Sequence, residues 1–192
     1  MSTPEEFHID LQNLKDAIVD RVIVMKLANA GLAIIRERTL SGKFLPGSSP
    51  GAEDYSTKPF ARPLAGLTKQ LRKDLIANGA EVFTKDGKQT WIVIKGGYKQ
   101  MREIGGKDVS HVSMVWTGRM MRNLGILNTD DNSAVLGPKD EDTKKIVMYH
   151  NVLGAGKSKK KRVFMGFTES EKGRLSKLVG DEFLRKLNIV KV

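Results

Sequence analysis

The stretch most suggestive of chemistry is Gly-Ala-Gly-Lys-Ser at 154–158, which resembles the end of a phosphate-binding loop. Such a loop has the pattern G-x-x-x-x-G-K-[ST] between a buried strand and a helix, because its backbone must wrap around phosphate oxygens. Here the first glycine is missing, since position 151 is Asn151. A basic run replaces the helix start, and no hydrophobic strand ending in aspartate follows to hold magnesium. We therefore expect a flexible loop and not nucleotide hydrolysis.

The positive charges behind this stretch suit either phosphate groups or an acidic protein surface. Five of them lie in one short run, namely Lys157, Lys159, Lys160, Lys161 and Arg162. Such a run gives nucleic acid a salt-sensitive affinity that does not depend on base sequence. Single-strand binders usually add exposed aromatic side chains for stacking, and aromatic residues make up only 6% of this chain. The sequence favours a solvated or subunit-contacting loop, with nucleic acid as the alternative.

The other titratable side chains do not form a recognisable site. The histidines lie far apart at His8, His111 and His150, with no carboxylate at metal-ligand spacing. The carboxylate clusters at 130–131 and 140–142 lack the spaced ligands and the glycine of a calcium loop. We predict solvated turns or acidic contact points there, and we predict no catalytic residue, no cofactor and no metal.

Composition indicates a basic domain with a real core. The chain has 192 residues, of which 40% are apolar, and a net charge of +11, so we predict a single domain over 1–192. Cysteine is absent, which excludes disulfides, thiolate metal sites and cysteine nucleophiles and fits a reducing cytosol. No apolar run approaches the roughly 18–20 residues of a membrane helix, and the acidic N-terminus is unlike a secretory signal.

A long N-terminal helix is the first element that the pattern predicts. The residues Thr-Pro-Glu-Glu at 3–6 form a capping box, and apolar residues then recur at spacings of three or four. We predict a helix over 4–40 that is stopped by Gly42, followed by an extended loop over 41–62 that is rich in proline and glycine.

Strand signals lie in the middle of the chain. Residues that favour strands flank Asp86-Gly87, which predicts a β-hairpin over 81–95 with a two-residue turn. Before this hairpin, Pro63 is expected to open a helix that ends at 78–79. Further short strands are expected at 109–116, 134–136 and 163–167.

Three more helices complete the prediction. A short helix is expected over 98–104, and Thr117 is expected to cap a second one that reaches Leu124 and places Met120 and Met121 in the core or an interface. A second capping box opens the last helix, which we predict over 168–188. The expected fold class is α+β, with a small, mostly antiparallel sheet flanked by the long N-terminal helix and the C-terminal helix, and with long loops.

Three pieces in a fixed order resemble a known family. They are 35–42, then 115–124, and then 149–151 joined to 162–167 through a basic loop, 152–162. This order is similar to the tailed-phage virion morphogenesis family, the tail-completion or neck proteins of Mu-like and P2-like phages, over about 30–179. Family members have "LTGRM", then "Y-H-N-x-G" and "R-x-F-L/M-G", and this chain has Trp116 in place of the leucine. The matched positions are Thr117, Gly118, Arg119, Met120, His150, Asn151, Phe164 and Gly166.

The resemblance implies a structural virion protein and not an enzyme. Family members assemble as rings, here expected to be hexameric, at the neck where the tail joins the capsid. The expected partners are further copies of the chain and other neck and tail proteins, namely the adaptor or head-completion protein, the tail terminator and the tail tube. A ring needs two different complementary patches on each subunit. We expect the run from Lys157 to Arg162 to contact an acidic patch on a neighbour, with packaged DNA as the alternative.

Overall fold

The described part of the chain alternates helices with two small antiparallel sheets. The computed structural model describes residues 20–85, 87, 89–115, 118–156 and 158–190. In chain order the elements are α1 (Arg21–Leu40), β1 (Phe60–Pro63), α2 (Lys69–Ala77), β2 (Glu81–Lys85), β3 (Gln89–Ile94), α3 (Gly97–Ile104), α4 (Arg119–Arg122), β4 (Leu124–Thr129), β5 (Ala134–Pro138), α5 (Glu141–Met148), a π turn (Tyr149–Leu153) and α6 (Glu169–Val190). The α+β class predicted from the sequence is confirmed.

Helix α1 has well-defined ends. It begins at Arg21, because the Asp20 side chain caps it by accepting a hydrogen bond from the Ile23 N–H at 3.0 Å. The remainder of the predicted helix, 4–19, lies outside the described residues, as does its capping box. The predicted stop at Gly42 is confirmed, since α1 ends at Leu40 and Gly42 has a φ of 72°.

Helices α1 and α6 run antiparallel to each other. Lys26 of α1 pairs with Glu182 of α6 at 2.7 Å, and Lys186 of α6 pairs with Asp20 at 2.6 Å. Gly31 lets α1 approach the segment before α6 closely, because a Cβ at position 31 would lie 3.0 Å from the Phe167 ring. The predicted C-terminal helix is therefore confirmed, and it packs lengthwise against the N-terminal one.

The larger sheet has the strand order β1–β3–β2. Trp91 at its centre lies between Pro63 on one side and Phe83 on the other. The predicted hairpin is confirmed, but its loop is one residue longer than the predicted turn, because Lys85 pairs with Gln89. Asp86 itself lies outside the described residues.

The predicted helix opening at Pro63 is wrong. Pro63 ends β1, an edge strand, where a missing N–H is tolerated. The chain then turns at Gly66, which has a φ of 85°, and α2 begins only after Thr68, whose hydroxyl accepts from the Leu71 N–H at 3.2 Å. The predicted end of this helix at 78–79 is confirmed by the Asn78 C-cap.

Two of the predicted strands are also wrong. Residues 109–115 form no strand, because their polar groups bond to the 41–62 loop, with the Val112 N–H donating to the Glu53 carbonyl at 2.8 Å. Residues 163–167 likewise form no strand, since side chains accept from the N–H groups of 163–165. Conversely, β4 begins at Leu124, where a helix was predicted, and pairs with the correctly predicted β5. The predicted short helix at 98–104 is confirmed by α3.

Buried side chains form two groups. The helical core packs α1 against α4, β4 and the segment before α6, and comprises Leu32, Ile35, Met120, Met121, Leu124 and Phe164. The sheet core packs α2 and α3 against the three-stranded sheet, and comprises Leu67, Leu71, Leu75, Ile92, Ile94 and Met101. Met120 and Met121, which were predicted to lie in the core or an interface, are core residues.

Arg102 lies between the two cores and is 3% exposed. Its guanidinium donates to the carbonyl of Val115 at 2.7 Å and lies 4.5 Å from the centre of the Tyr55 ring. Val115 packs on the helical core, whereas the neighbouring Met101 belongs to the sheet core. This buried cation thus ties the two halves of the described fold together.

Candidate assembly surface

Two arginines of α1 hold the three motif pieces together. Arg36 donates to the carbonyls of Met121 and Leu124 at 3.2 and 2.7 Å, which fixes the second piece to α1. Arg38 donates to the carbonyls of Phe164 and Gly166 at 2.6 and 3.0 Å, which fixes the third. Neither arginine was predicted as a site residue from the sequence. The signal for them was two cations, two residues apart, directly after the apolar run at 32–35 of a helix.

Arg38 also forms a buried ion pair with Glu171 in the first turn of α6. The same carboxylate accepts from the Thr168 N–H at 2.7 Å, while the Glu171 N–H donates to the Thr168 hydroxyl at 3.2 Å. The predicted capping box is therefore present, and it is coupled to α1 through Arg38.

Asn151 fixes the segment that leads into α6. Its side-chain oxygen accepts from the N–H groups of Phe164 and Met165 at 2.9 and 3.0 Å, and its amide donates to the Val147 carbonyl at 2.9 Å. Phe164 is fully buried in the helical core. Asn151 therefore replaces the strand partner that the N–H groups of Phe164 and Met165 would otherwise need.

His150 lies beneath the basic loop. Its carbonyl accepts from the Arg162 N–H at 2.8 Å, and its Nδ1 is buried without a partner. Burial and the nearby Arg162 lower the pKa of His150 from 6.5 to about 4. His150 is accordingly neutral at neutral pH, and it adds no charge to the basic loop.

The basic loop closes into a small hairpin. Ala155 and Lys160 exchange two backbone hydrogen bonds of 3.0 and 3.2 Å. The close approach depends on Gly154, because a Cβ there would lie 1.9 Å from the Lys159 carbonyl oxygen. Lys159 takes a positive φ of 46° at the end of the tip, and Lys157 lies outside the described residues.

The cations of the run point in two directions. Lys160 donates to the Gly51 carbonyl at 2.6 Å, and the Arg162 guanidinium donates to the carbonyls of Ala52 and Asp54 at 2.7 and 3.3 Å. These bonds fasten the proline-rich loop, which was predicted as extended, to the basic loop. Lys159 and Lys161 are exposed, and these two are the described members of the run that are available to a partner.

An exposed apolar patch adjoins the basic loop. Its side chains lie on the end of α5 and on the π turn, and are between 41% and 57% exposed. The patch comprises Ile146, Met148, Tyr149, Val152 and Leu153. A π turn is uncommon and occurs frequently at functional sites. Five large apolar side chains exposed within eight residues are typical of a surface that another protein covers.

The β4–β5 hairpin combines exposed apolar side chains with negative charge, where the basic loop has positive charge. Leu127 is the extra residue of a β-bulge between Ile126 and Asn128, and it is 50% exposed, as is Val135 at 51%. The hairpin tip carries the acidic cluster at 130–131. Asp130 and Asp131 are both exposed, and Asp130 accepts hydrogen bonds from Ser133 of the tip, which lower its pKa.

The remaining motif residues hold α4 in place. Gly118 precedes α4 with a φ of 75°, and Arg119 pairs with Asp142 at 3.1 Å and approaches Asp140 at 4.0 Å. One of the predicted acidic contact points is therefore occupied by a cation of the same chain. Thr117 and Trp116 lie outside the described residues.

The described side chains offer no metal centre. Within residues 20–190, apart from the masked positions, no three His, Cys, Asp or Glu side chains are grouped so that they could hold a metal ion. No helix in the same part of the chain is long and apolar enough to cross a membrane.

Comparisons with known proteins do not extend this description. No protein-family model matches the chain, and neither the curated proteins nor the solved structures include a significant match.

Proposed function

We propose that this chain is a non-enzymatic structural protein of a tailed bacteriophage, which forms a ring of subunits, expected to be six, at the head–tail junction. One observation carries the proposal. Motif residues from three distant segments, which resemble the neck-protein family, converge to hold an exposed apolar patch beside a cationic loop tip. An ordered backbone that presents exposed apolar and cationic side chains has the properties of an assembly surface.

The apolar patch suits a protein partner. Its side chains, such as Tyr149 and Val152, are exposed although the residues that hold them, Asn151 and Phe164, are fixed. A rigid surface loses little conformational entropy on binding, so its apolar area contributes more fully to affinity. The exposed Lys159 and Lys161 at its border add charge that can orient the partner.

The β4–β5 hairpin supplies a complementary surface on the same chain. Leu127 and Val135 are exposed and apolar, and Asp131 is an exposed carboxylate at the tip. If the hairpin of one subunit meets the apolar patch of the next, Asp131 faces Lys159 or Lys161. Two unlike patches that mate in this way produce a closed ring when the rotation between subunits closes.

Packaged DNA is the second candidate partner, because Lys159 and Lys161 are exposed and phosphates also suit them. Two phosphate contacts give a slope of roughly −2 when the logarithm of affinity is plotted against the logarithm of salt concentration. The apolar patch has no role in this alternative. Binding to DNA that survives substitution of the patch, with no ring formed, would favour it.

The assembly test uses charge reversal on the full chain. Mass photometry and negative-stain microscopy of the wild type are expected to show rings, and Lys159→Glu/Lys161→Glu is expected to dissociate them. The matched control is Lys73→Glu/Lys177→Glu, which changes the same charge on exposed parts of α2 and α6. Adding Asp131→Lys to the first variant is expected to restore rings, because it makes the two patches complementary again.

The location test uses whole particles of the phage that encodes this chain. Cryo-electron microscopy is expected to show a ring between capsid and tail into which α1, α6 and both sheets fit. Particles that lack such density at the junction would contradict the proposal. Rings that persist unchanged in the Lys159→Glu/Lys161→Glu variant would contradict the role given to the basic loop.

A further inference from the structure

Strand β2 forms a second surface, separate from the apolar patch and the basic loop. It lies at the edge of the larger sheet, and all five of its residues are exposed, including Val82 at 44% and Phe83 at 41%. One side of its backbone pairs with β3, and within the described residues no backbone hydrogen bond engages the other side. An exposed edge with apolar side chains is a template for pairing with another strand.

An apolar row crosses the sheet and ends at this edge. Pro63, Trp91 and Phe83 lie in register on neighbouring strands and share the face opposite the sheet core. Trp91 is half-buried, and the Lys85 ammonium lies 6.0 Å from its ring centre. Phe83 contacts the row through Trp91 on one side and faces solvent on the other. Its exposed side is covered only if another strand pairs with β2.

The charges of β2 specify which strand this is. The sequence Glu-Val-Phe-Thr-Lys carries Glu81 and Lys85 at equal distances from Phe83. Because side chains alternate along a strand, all three lie on the same face. An antiparallel pair of β2 strands centred on Phe83 therefore sets Glu81 of each copy opposite Lys85 of the other.

We propose that β2 pairs with β2 of a second copy of this chain, antiparallel and with Phe83 at the two-fold axis. The two three-stranded sheets then form one continuous sheet, and the apolar row runs on from Phe83 to Phe83 and Trp91 of the second copy. Aromatic and opposite-charge pairs across strands both stabilise such a ladder. The contact is isologous, so it differs in kind from the ring contact and goes beyond the proposed function.

Alternative registers fit the side chains less well. A shift by one residue places the apolar row of one copy beside the opposite face of the other. A shift by two residues sets Phe83 opposite Glu81 or Lys85 and removes the pairing of Glu81 with Lys85 across the strands, so that Glu81 keeps only its ion pair with Lys95 of its own chain at 2.5 Å. Parallel pairing brings Glu81 near Glu81 and Lys85 near Lys85, which is repulsive.

Cysteine cross-linking tests the axis directly, because the natural chain contains no cysteine. In full-length Phe83→Cys the two introduced thiols face each other, with Cα atoms about 4.5–5.5 Å apart, which is within disulfide reach. In the control Lys85→Cys the two Cα atoms lie about 14 Å apart along the strands. Mild oxidation is expected to give covalent dimers of Phe83→Cys only. Equal yields from both variants, or none from Phe83→Cys, would overturn the proposal.

Charge exchange tests the register of the two strands without introducing a disulfide. The charge exchange is made in the Lys159→Glu/Lys161→Glu protein, because the wild type is expected to form rings. In sedimentation velocity this background is expected to dimerise with concentration, and adding Glu81→Lys or Lys85→Glu alone is expected to weaken the dimer roughly tenfold, because two like-charge pairs replace two opposite ones. Adding both exchanges together is expected to restore the dimer. A background protein that stays monomeric, or a double exchange no stronger than the single ones, contradicts the proposal.

One variant distinguishes a failure of the ring proposal from a failure of the β2 proposal. The Lys159→Glu/Lys161→Glu protein is expected to lose rings and to retain the β2 dimer. Loss of the β2 dimer in this protein would show that the association depends on the basic loop and not on the edge strand.

Discussion

Arg38 and Glu171 form a buried ion pair that joins the last turn of α1 to the first turn of α6. Their side chains are 7% and 12% exposed, and Arg38 also donates to the carbonyls of Phe164 and Gly166. A buried carboxylate that loses its cation is costly, because it has left water and has no other charge to compensate it. This pair is therefore expected to matter far more than the exposed pairs between the same helices.

Arg38→Ala is expected to lower the free energy of unfolding by about 3–5 kcal/mol, because Glu171 would remain buried and unpaired. The control Lys26→Ala removes the outer pair with Glu182 and is expected to cost no more than about 1 kcal/mol, since Lys26 is 41% exposed. Urea unfolding followed by circular dichroism measures both. Equal costs for the two variants would show that Arg38 is not a buried anchor.

Asn151→Ala is expected to loosen the segment before α6. It removes the acceptor for the N–H groups of Phe164 and Met165. Each buried group left without a partner costs about 1–3 kcal/mol. Asn151→Asp keeps the acceptor and loses only the donor to Val147, so it is expected to cost less. Hydrogen exchange at the Phe164 and Met165 amides is the readout, and unchanged exchange in Asn151→Ala would refute this role.

Gly154→Ala is expected to open the basic loop. The new Cβ would lie 1.9 Å from the Lys159 carbonyl oxygen, so the bridge between Ala155 and Lys160 cannot persist. Gly156→Ala is the matched control, since Gly156 also has a positive φ of 70° but no atom within 4 Å of the added Cβ. Limited trypsin digestion is expected to cut faster at Lys159 and Lys161 in Gly154→Ala than in the control. Equal cleavage would mean that the bridge does not hold the loop.

His150 is expected to make stability depend on pH. Its pKa is about 4 in the folded chain against 6.5 for an ordinary histidine. As the pH falls below 6.5 the unfolded chain takes up a proton that the folded chain does not, so stability decreases from about pH 6.5 down to about pH 4 and is constant above that window. The loss that His150 causes over this window is roughly 3–4 kcal/mol, at about 1.4 kcal/mol per pKa unit.

The control for this pH effect is His150→Gln, which cannot take up the proton. Unfolding free energies at several pH values between 4 and 7.5 are compared for the two proteins. The carboxylates titrate in both, so the difference between the curves isolates His150. Parallel curves would contradict the burial of a neutral imidazole.

The sequence predicts those elements that carry their own local signals. The β2–β3 hairpin, the end of α1 and the start of α6 follow from turn and capping residues within a few positions of each other. It fails where distant partners decide the outcome. The local sequence around Pro63 predicts a helix start, but pairing with Trp91 of β3 makes Pro63 the end of a strand.

The candidate surface is predictable only in part. The run of cations is visible in the sequence, but which of them face solvent depends on carbonyls of residues 51–54, more than a hundred positions away. Residues 163–165 have strand-like composition, yet the side chains of Ser48 and Asn151 accept their N–H hydrogen bonds. The apolar patch has a helix-like pattern, and its exposure follows from the way α5 packs, which periodicity does not specify.

Arg102 has a consequence for how the molecule comes apart. Two separate groups of packed side chains can open as separate units with different free energies. The Arg102 guanidinium lies between the two cores and donates to the carbonyls of Val115 and Asp108. Separating one core from the other would break these hydrogen bonds together. Heating is therefore expected to produce one calorimetric peak, because the two cores unfold together.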